Sequence, residues 1–330
     1  MASLGLAAGI RDTDTKPTQI PVITNEFHSL DDIGWYASIF QLASAAFQPL
    51  TGKMYSKFSN KWVFLFFFAV FEIGSAVCGM AQRSITFICG RAIAGMGASG
   101  LMNGALTIVA NIVSVDRRAS LTGLMMGMSQ VGVVIGPLVG GALTSFSTWR
   151  WCFYMNLPIG AVVFVGLLFI CIPELVEKKE PLKVFKNLHN ELDLIGFAMF
   201  TPAMVMLLLA LQYGGNDFAW DSPTITGLFA GSGVLGAIWL AWDWRCGDEA
   251  LIPFSMMEKR VVWSSSLTQW CNMTVVFTAA YFLPIYFQGI KGATPAMSGV
   301  YVMPGIFSQL VFAVLSGFLG KSLGSFVYLG

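Results

Sequence analysis

The sequence predicts an all-α membrane protein of about nine transmembrane helices. Three observations carry that prediction. Hydrophobic residues fill 55% of the 330 positions and charged residues 11%, against roughly 25% charged in soluble domains, too few to cover a water-facing surface. The apolar residues gather into stretches near the ~20 residues that a helix needs to cross the hydrocarbon core. Lysine and arginine in the connections fall mostly on alternate sides of those stretches, as the positive-inside bias requires.

The stretches run over 35–52, 62–82, 84–106, 119–145, 151–172, 194–213, 222–242, 261–289 and 293–318, and only Glu72 and Arg91 among them are charged. Such sparing use follows from the cost of charge in hydrocarbon. One set of alternate connections holds Lys53, Lys57, Lys61, Arg117, Arg118, Lys178, Lys179, Lys183, Lys186, Arg245, Lys259, Arg260 and Lys321, thirteen cations in all, and the other set holds Arg83, Arg150 and Lys291. The first set is therefore cytoplasmic. Residues 1–34 then read as a polar N-terminal tail on the outer side; the ten-residue run MASLGLAAGI is too short to span and lacks the basic start of a signal peptide. PELVEKKEPLKVFKNLHNELD, 173–193, is the longest polar connection and reads as a cytoplasmic linker between five spans and four. The expected organisation is a five-helix bundle over 35–172, the linker, a helix pair over 194–242, and two further helices over 261–330.

Composition and residue spacing weigh against several function classes. A net charge of +1 gives no field for nucleic acid. The six cysteines, Cys78, Cys89, Cys152, Cys171, Cys246 and Cys271, lack metal-type pair spacing, and His28 and His189 stand alone in polar connections. No nucleophile or acid/base constellation points to an enzyme, and no cofactor is implied.

Several segments carry a mechanism. GKMYSKFSNK, 52–61, joins the first two spans: Gly52 allows a tight exit from the helix, and Ser56 sits among the cluster Lys53, Lys57 and Lys61. These cations can pair with a helix C-terminus or a neighbouring acid, a contact that must break when the inner side opens; an ordinary positive-inside loop is the alternative. Arg91 lies about 10 Å below the outer end of its helix at ~1.5 Å per residue. At that depth it needs a cavity or a partner, or must snorkel outward. The same span contains GMGASG, with glycines at 95, 97 and 100. A dinucleotide fingerprint needs a strand before it and a helix opening at the glycines. Here they lie inside one apolar stretch, where Gly90, Ala94, Gly97 and Ala98 fit close helix packing instead. In the next span Gly132, Gly136 and Gly140 recur every four residues, followed by Gly141, while Pro137 removes a helix hydrogen bond. That face is suited to close approach and rocking against another helix. Gln41, Gln130, Asn156 and Gln269 are polar, uncharged candidates for lining a cavity.

Taken in order, GKMYSKFSNK, ICGRAIAGMG, GVVIGPLVGG, WRWCFYMNLPIG and YFLPIYFQGIKGATPAMSGVYVMPG resemble the major facilitator superfamily, specifically its fungal-type fourteen-helix drug:proton antiporters. The resemblance covers residues 20 to about 320 and implies major-facilitator-type helical bundles, with about nine of fourteen helices present and the first family helix missing. It implies export of small amphipathic compounds (drugs, toxins or secondary metabolites) driven by inward proton flow through alternating access. Arg91, with Glu72, would serve proton coupling, the 52–61 loop would be the inner gate, and the Gly132–Gly141 helix would favour antiport. The implied partners are a small-molecule substrate, protons and the bilayer, for a monomer in the plasma membrane or, alternatively, a vacuolar or vesicle membrane. A non-transporting remnant of such a transporter, and an uptake transporter, are the competing readings.

Overall fold

The computed structural model describes residues 23, 26–27, 32–114, 117–118, 121–129, 132, 136, 139, 143, 147–170, 172, 174, 178, 191–215, 217–292, 297, 300–305, 307–309, 311–312 and 315. Described helices are α1 (Ile33–Lys57), α2 (Asn60–Met80), α3 (Ser84–Ile112), the short α4 (Trp151–Tyr154) leading into α5 (Asn156–Phe169), α6 (Leu194–Tyr213), α7 (Pro223–Cys246) with a 3-10 turn at Gly247–Glu249, α8 (Phe254–Met257) and α9 (Arg260–Gly289). Among the described residues pairing of strand type is limited to a bridge between Gly214 and Phe218. The chain is all-α.

Among the described residues five helices are long and apolar enough to cross a membrane: Asn60–Met80, Ser84–Ile112, Trp151–Phe169, Leu194–Tyr213 and Pro223–Glu249. The expected spans 35–52 and 261–289 fall within α1 and α9, whereas 119–145 and 293–318 are described only in part. Many apolar side chains among the described residues point outward: Val162 is 75% exposed and Phe169 is 85% exposed. In water that surface would aggregate; in hydrocarbon it needs no cover. The chain is an integral membrane protein.

α3 lies against both α1 and α2, and glycines set how close it comes. A Cβ added at Gly97 would stand 2.5 Å from the Phe71 backbone nitrogen, and one at Gly90 would stand 2.8 Å from Cys78 Sγ, both on α2. Gly95 faces α1 instead, at the Phe40 carbonyl. The GMGASG glycines therefore sit in one unbroken helix as contact surface, where dispersion between closely approaching backbones holds membrane helices together.

At the end where α1 begins, an aromatic cluster closes the bundle. Phe87 meets Tyr36 at 5.3 Å, Phe153 at 5.4 Å and Trp149 at 5.6 Å between ring centroids, each near perpendicular, the edge-to-face geometry that aromatic quadrupoles favour. Ile23 is buried in this cluster, Phe27 packs on it, and Glu26 accepts hydrogen bonds from Trp149 Nε1 (2.6 Å) and Arg150 (2.8 Å). Of the expected 1–34 tail, residues 23, 26, 27 and 32–34 are described. Within IPVITNEF the apolar residues flank one acid whose charge Arg150 compensates, so Ile23, Glu26 and Phe27 belong to the bundle.

Candidate functional site: the lysine-bearing end of α1 and the buried charges

The segment read as a loop at 52–61 is mostly helix. α1 continues through Gly52 to Lys57, and only Phe58 and Ser59 separate it from α2. A helix end leaves carbonyls unsatisfied; here Lys178 donates to the Tyr55 and Ser56 carbonyls at 2.9 and 3.1 Å, so the last turn is held and Gly52 does not end it. Ser56 Oγ donates back to the Lys53 carbonyl at 2.7 Å.

The three lysines of this segment each reach a different element. Lys61 donates to the Leu168 carbonyl at 2.7 Å, at the C-terminal end of α5, where the helix dipole favours a cation. Lys57 forms a salt bridge with Glu191 at 2.6 Å. Lys53 donates to the Ala250 carbonyl at 2.8 Å and also to the Glu249 carbonyl, in the turn after α7. Lys53 stands one residue beyond the span read at 35–52; burial pushes its ammonium down, and nearby Asp193, Asp243 and Glu249 partly offset that shift. Both kinds of partner anticipated for these cations, a helix C-terminus and an acid, are present.

Sequence reasoning missed the residue that joins α1 to α3 here. Asn103 Nδ2 donates to Thr51 Oγ1 at 2.6 Å and to the Gln48 carbonyl at 2.9 Å. An asparagine within GLMNGAL carries no periodic signal; only the neighbouring helix shows its purpose.

Arg91 points into the α1–α3 seam. Its Nε donates to the Tyr36 carbonyl at 3.2 Å and its guanidinium lies 4.8 Å from the Phe40 ring centroid, a cation–π distance. Glu72 lies on a different seam, between α2 and α5: a Cβ added at Gly160 would strike its carboxyl group. Its Oε2 is buried and has no hydrogen-bond partner among the described residues. The salt bridges among the described residues are Lys57–Glu191 and Arg150–Glu26, so Glu72 and Arg91 do not pair. Asn156, beside Glu72 on that seam, donates to Ser75 Oγ at 3.4 Å.

The remaining cavity candidates do not converge. Gln41 on α1 and Gln269 on α9 are exposed, and Gln130, Pro137, Gly140 and Gly141 lie outside the described residues. Gly132 and Gly136 are exposed, with open space where a Cβ would stand. Among the described residues nothing stands against these two positions, in contrast to Gly90 and Gly97.

Comparison with known proteins agrees with this architecture. The family model of the Major Facilitator Superfamily matches residues 12–330. The MFS-type transporter calB of Penicillium decumbens is 53% identical over 93% of this chain and 55% of its own length. The MFS-type transporter pigP of Monascus ruber is 52% identical over 96% of the chain and 55% of its length. The efflux pump mokI of Monascus pilosus is 47% identical over 92% and 58% respectively. The chain spans somewhat more than half the length of these relatives, whose names are those of transporters and not of enzymes. With apolar helices packed glycine to backbone and a family match along nearly all its length, the chain belongs to the Major Facilitator Superfamily.

Proposed function

We propose that this chain works in a secondary active exporter of small amphipathic compounds, driven by inward proton flow and cycling by alternating access, as a monomer in the plasma membrane. The observation that carries the reading is the cytoplasmic end of α1. Its lysines hold three separate elements by contacts that can break singly: a carbonyl pair after α7, the Glu191 carboxylate, and the end of α5. Polar contacts partly open to water are weak enough, at ~1 kcal/mol or less each for an ion pair, to be remade in every cycle. The relatives named as efflux pumps support export over uptake.

In this reading Arg91 orients the outer part of α3 against α1 and serves the proton step through its held positive charge. Glu72 is the intramembrane carboxyl available to take up and release the proton. Export of a panel of fluorescent amphipathic dyes from cells expressing the chain tests this. Arg91→Ala is expected to lower the initial efflux rate at least ~10-fold, a loss of about 1.4 kcal/mol in the rate-limiting barrier. Glu72→Gln keeps the shape of a neutral carboxyl and is expected to leave dye binding intact while removing the pH dependence of efflux. Dye efflux with unchanged rate and pH dependence in both variants overturns the proton assignment.

A further inference from the structure

The turn that receives Lys53 is itself built on an acid. Asp193 precedes α6 with φ 48° and ψ 57° and is the one non-glycine residue of positive φ among the described residues. Such a left-handed conformation costs about 1–3 kcal/mol and persists only where surrounding contacts fix it. Three donors fix it here: Gly196 N (3.0 Å) and Trp242 Nε1 (2.9 Å) on Oδ1, and Leu251 N (2.7 Å) on Oδ2. Asp193 is 5% exposed. One carboxylate therefore joins the start of α6, the last turns of α7 and the turn beyond it. Beside it the buried Asp243 accepts from Ile252 N at 3.4 Å. The backbone of 249–252 is held from below by two acids, and its upper carbonyls, Glu249 and Ala250, face Lys53.

The α6–α7 hairpin also lies along α1. Phe197 meets Phe47 at 5.1 Å, Tyr213 meets Trp35 at 5.9 Å, and Gln212 Nε2 donates to Ser38 Oγ at 2.7 Å. The hairpin reaches α1 at its outer end, middle and inner end.

We propose that Asp193 is a positioning residue of the inner gate: it holds the 249–252 turn as a two-carbonyl receptor for Lys53, which makes the α6–α7 hairpin the element to which the end of α1 locks. The proposal rests on the reading of the 52–61 segment as that gate. A plain helix cap needs only the bond from Gly196 N, which asparagine accepts as well as aspartate. The bonds from Trp242 and Leu251, and the negative charge facing Lys53, go beyond capping.

Cys246, half-buried at the end of α7 and within the field of Asp193, Asp243 and Lys53, is a native reporter. The full chain in nanodiscs is labelled with N-ethylmaleimide, and alkylation is followed peptide by peptide, with the exposed Cys89 and Cys271 as internal references. Each rate is taken from its pH profile as that of the fully ionised thiol, so that the changed charges do not act through the thiolate fraction. Asp193→Asn and Lys53→Gln are each expected to raise the Cys246 rate about fivefold, the size of effect that loss of one such contact gives, and the double variant no further, because both act on one knot. An unchanged rate in Asp193→Asn, or effects that multiply in the double variant, overturns the proposal and leaves Asp193 a cap. Should Asp193→Asn not fold, as altered Cys89 and Cys271 rates would reveal, Trp242→Phe replaces it in the same cycle: a raised rate that the double variant does not exceed supports the proposal, and an unchanged rate or multiplying effects overturn it. Labelling does not depend on transport. Absent export with a coupled labelling pattern counts against the gate reading; intact export with uncoupled labelling counts against the role of Asp193.

Discussion

Gly97 and Gly136 look alike in the sequence, each a small residue in a small-residue string, yet their surroundings are opposite. At Gly97 a Cβ would stand within 2.5 Å of the Phe71 backbone, whereas at Gly136 it would meet nothing among the described residues. Gly97→Val is expected to destabilise by about 1–3 kcal/mol, since overpacking against backbone cannot be relieved by a side-chain rotation. Gly136→Ala is expected to be neutral or to stabilise by up to ~1 kcal/mol, the helix-propensity difference between the residues. Thermal unfolding of the purified variants in detergent separates the two; a shared direction of change would contradict the packing described. That α3 uses its small residues for contact was legible because glycines and alanines inside one apolar stretch suit close helix packing. Which faces find neighbours was not legible, since spacing fixes a face but not what lies opposite. The same limit hid Asp193. Its left-handed backbone and its donors from Trp242 and Leu251 depend on chain 49 and 58 residues away, and nothing in NELDLIG announces them.

Among elements, α1 shows where local reading goes wrong. Gly52 and the polar GKMYSKFSNK argue for a helix end, yet α1 continues to Lys57 because Lys178 satisfies its terminal carbonyls. Lys178→Gln is expected to fray this last turn, seen as faster amide hydrogen exchange over 54–58 with α2 unaffected. Protection unchanged over that stretch would mean the helix end needs no cap. The α1–α3 seam has a comparable dependence on Asn103. Asn103→Leu removes two donated hydrogen bonds and leaves the Thr51 hydroxyl without that donor, for an expected loss of about 1–3 kcal/mol. A thermal midpoint equal to that of the parent would show the bonds to be replaceable. Two of the expected spans agree closely with described helices: 194–213 coincides with α6, and 62–82 with α2 apart from a two-residue shift. Apolar length is a local property, and the bilayer demands it of every crossing.

At the scale of the molecule, two quantities in the sequence were sufficient for the class: the scarcity of charge and its distribution among the connections. The charge bias leads to the expectation that the lysine-bearing end of α1 faces the cytoplasm, and at that end Lys53, Lys57 and Lys61 gather elements from distant parts of the chain. What these two quantities could not supply is assembly. Arg91 and Glu72, the two charges within the spans expected from sequence, occupy separate seams, and Gln41 and Gln269 remain exposed instead of meeting them. The inner contacts also carry a whole-molecule consequence. Exchanging charge across one of them, Lys57→Glu with Glu191→Lys, is expected to restore much of the export lost in either single variant, because the contact and not the identity of each side is required. Failure of the double exchange to exceed the singles would remove the salt bridge from the gate.

Proton-coupled export is the central claim, and it is tested most directly in proteoliposomes holding the chain, loaded with a panel of fluorescent amphipathic dyes, with the pH gradient imposed in either direction and then collapsed. The account predicts dye movement against the proton flux that reverses when the gradient is reversed and stops when it is collapsed. Dye movement that ignores the gradient, or no movement of any dye in either direction, would contradict it.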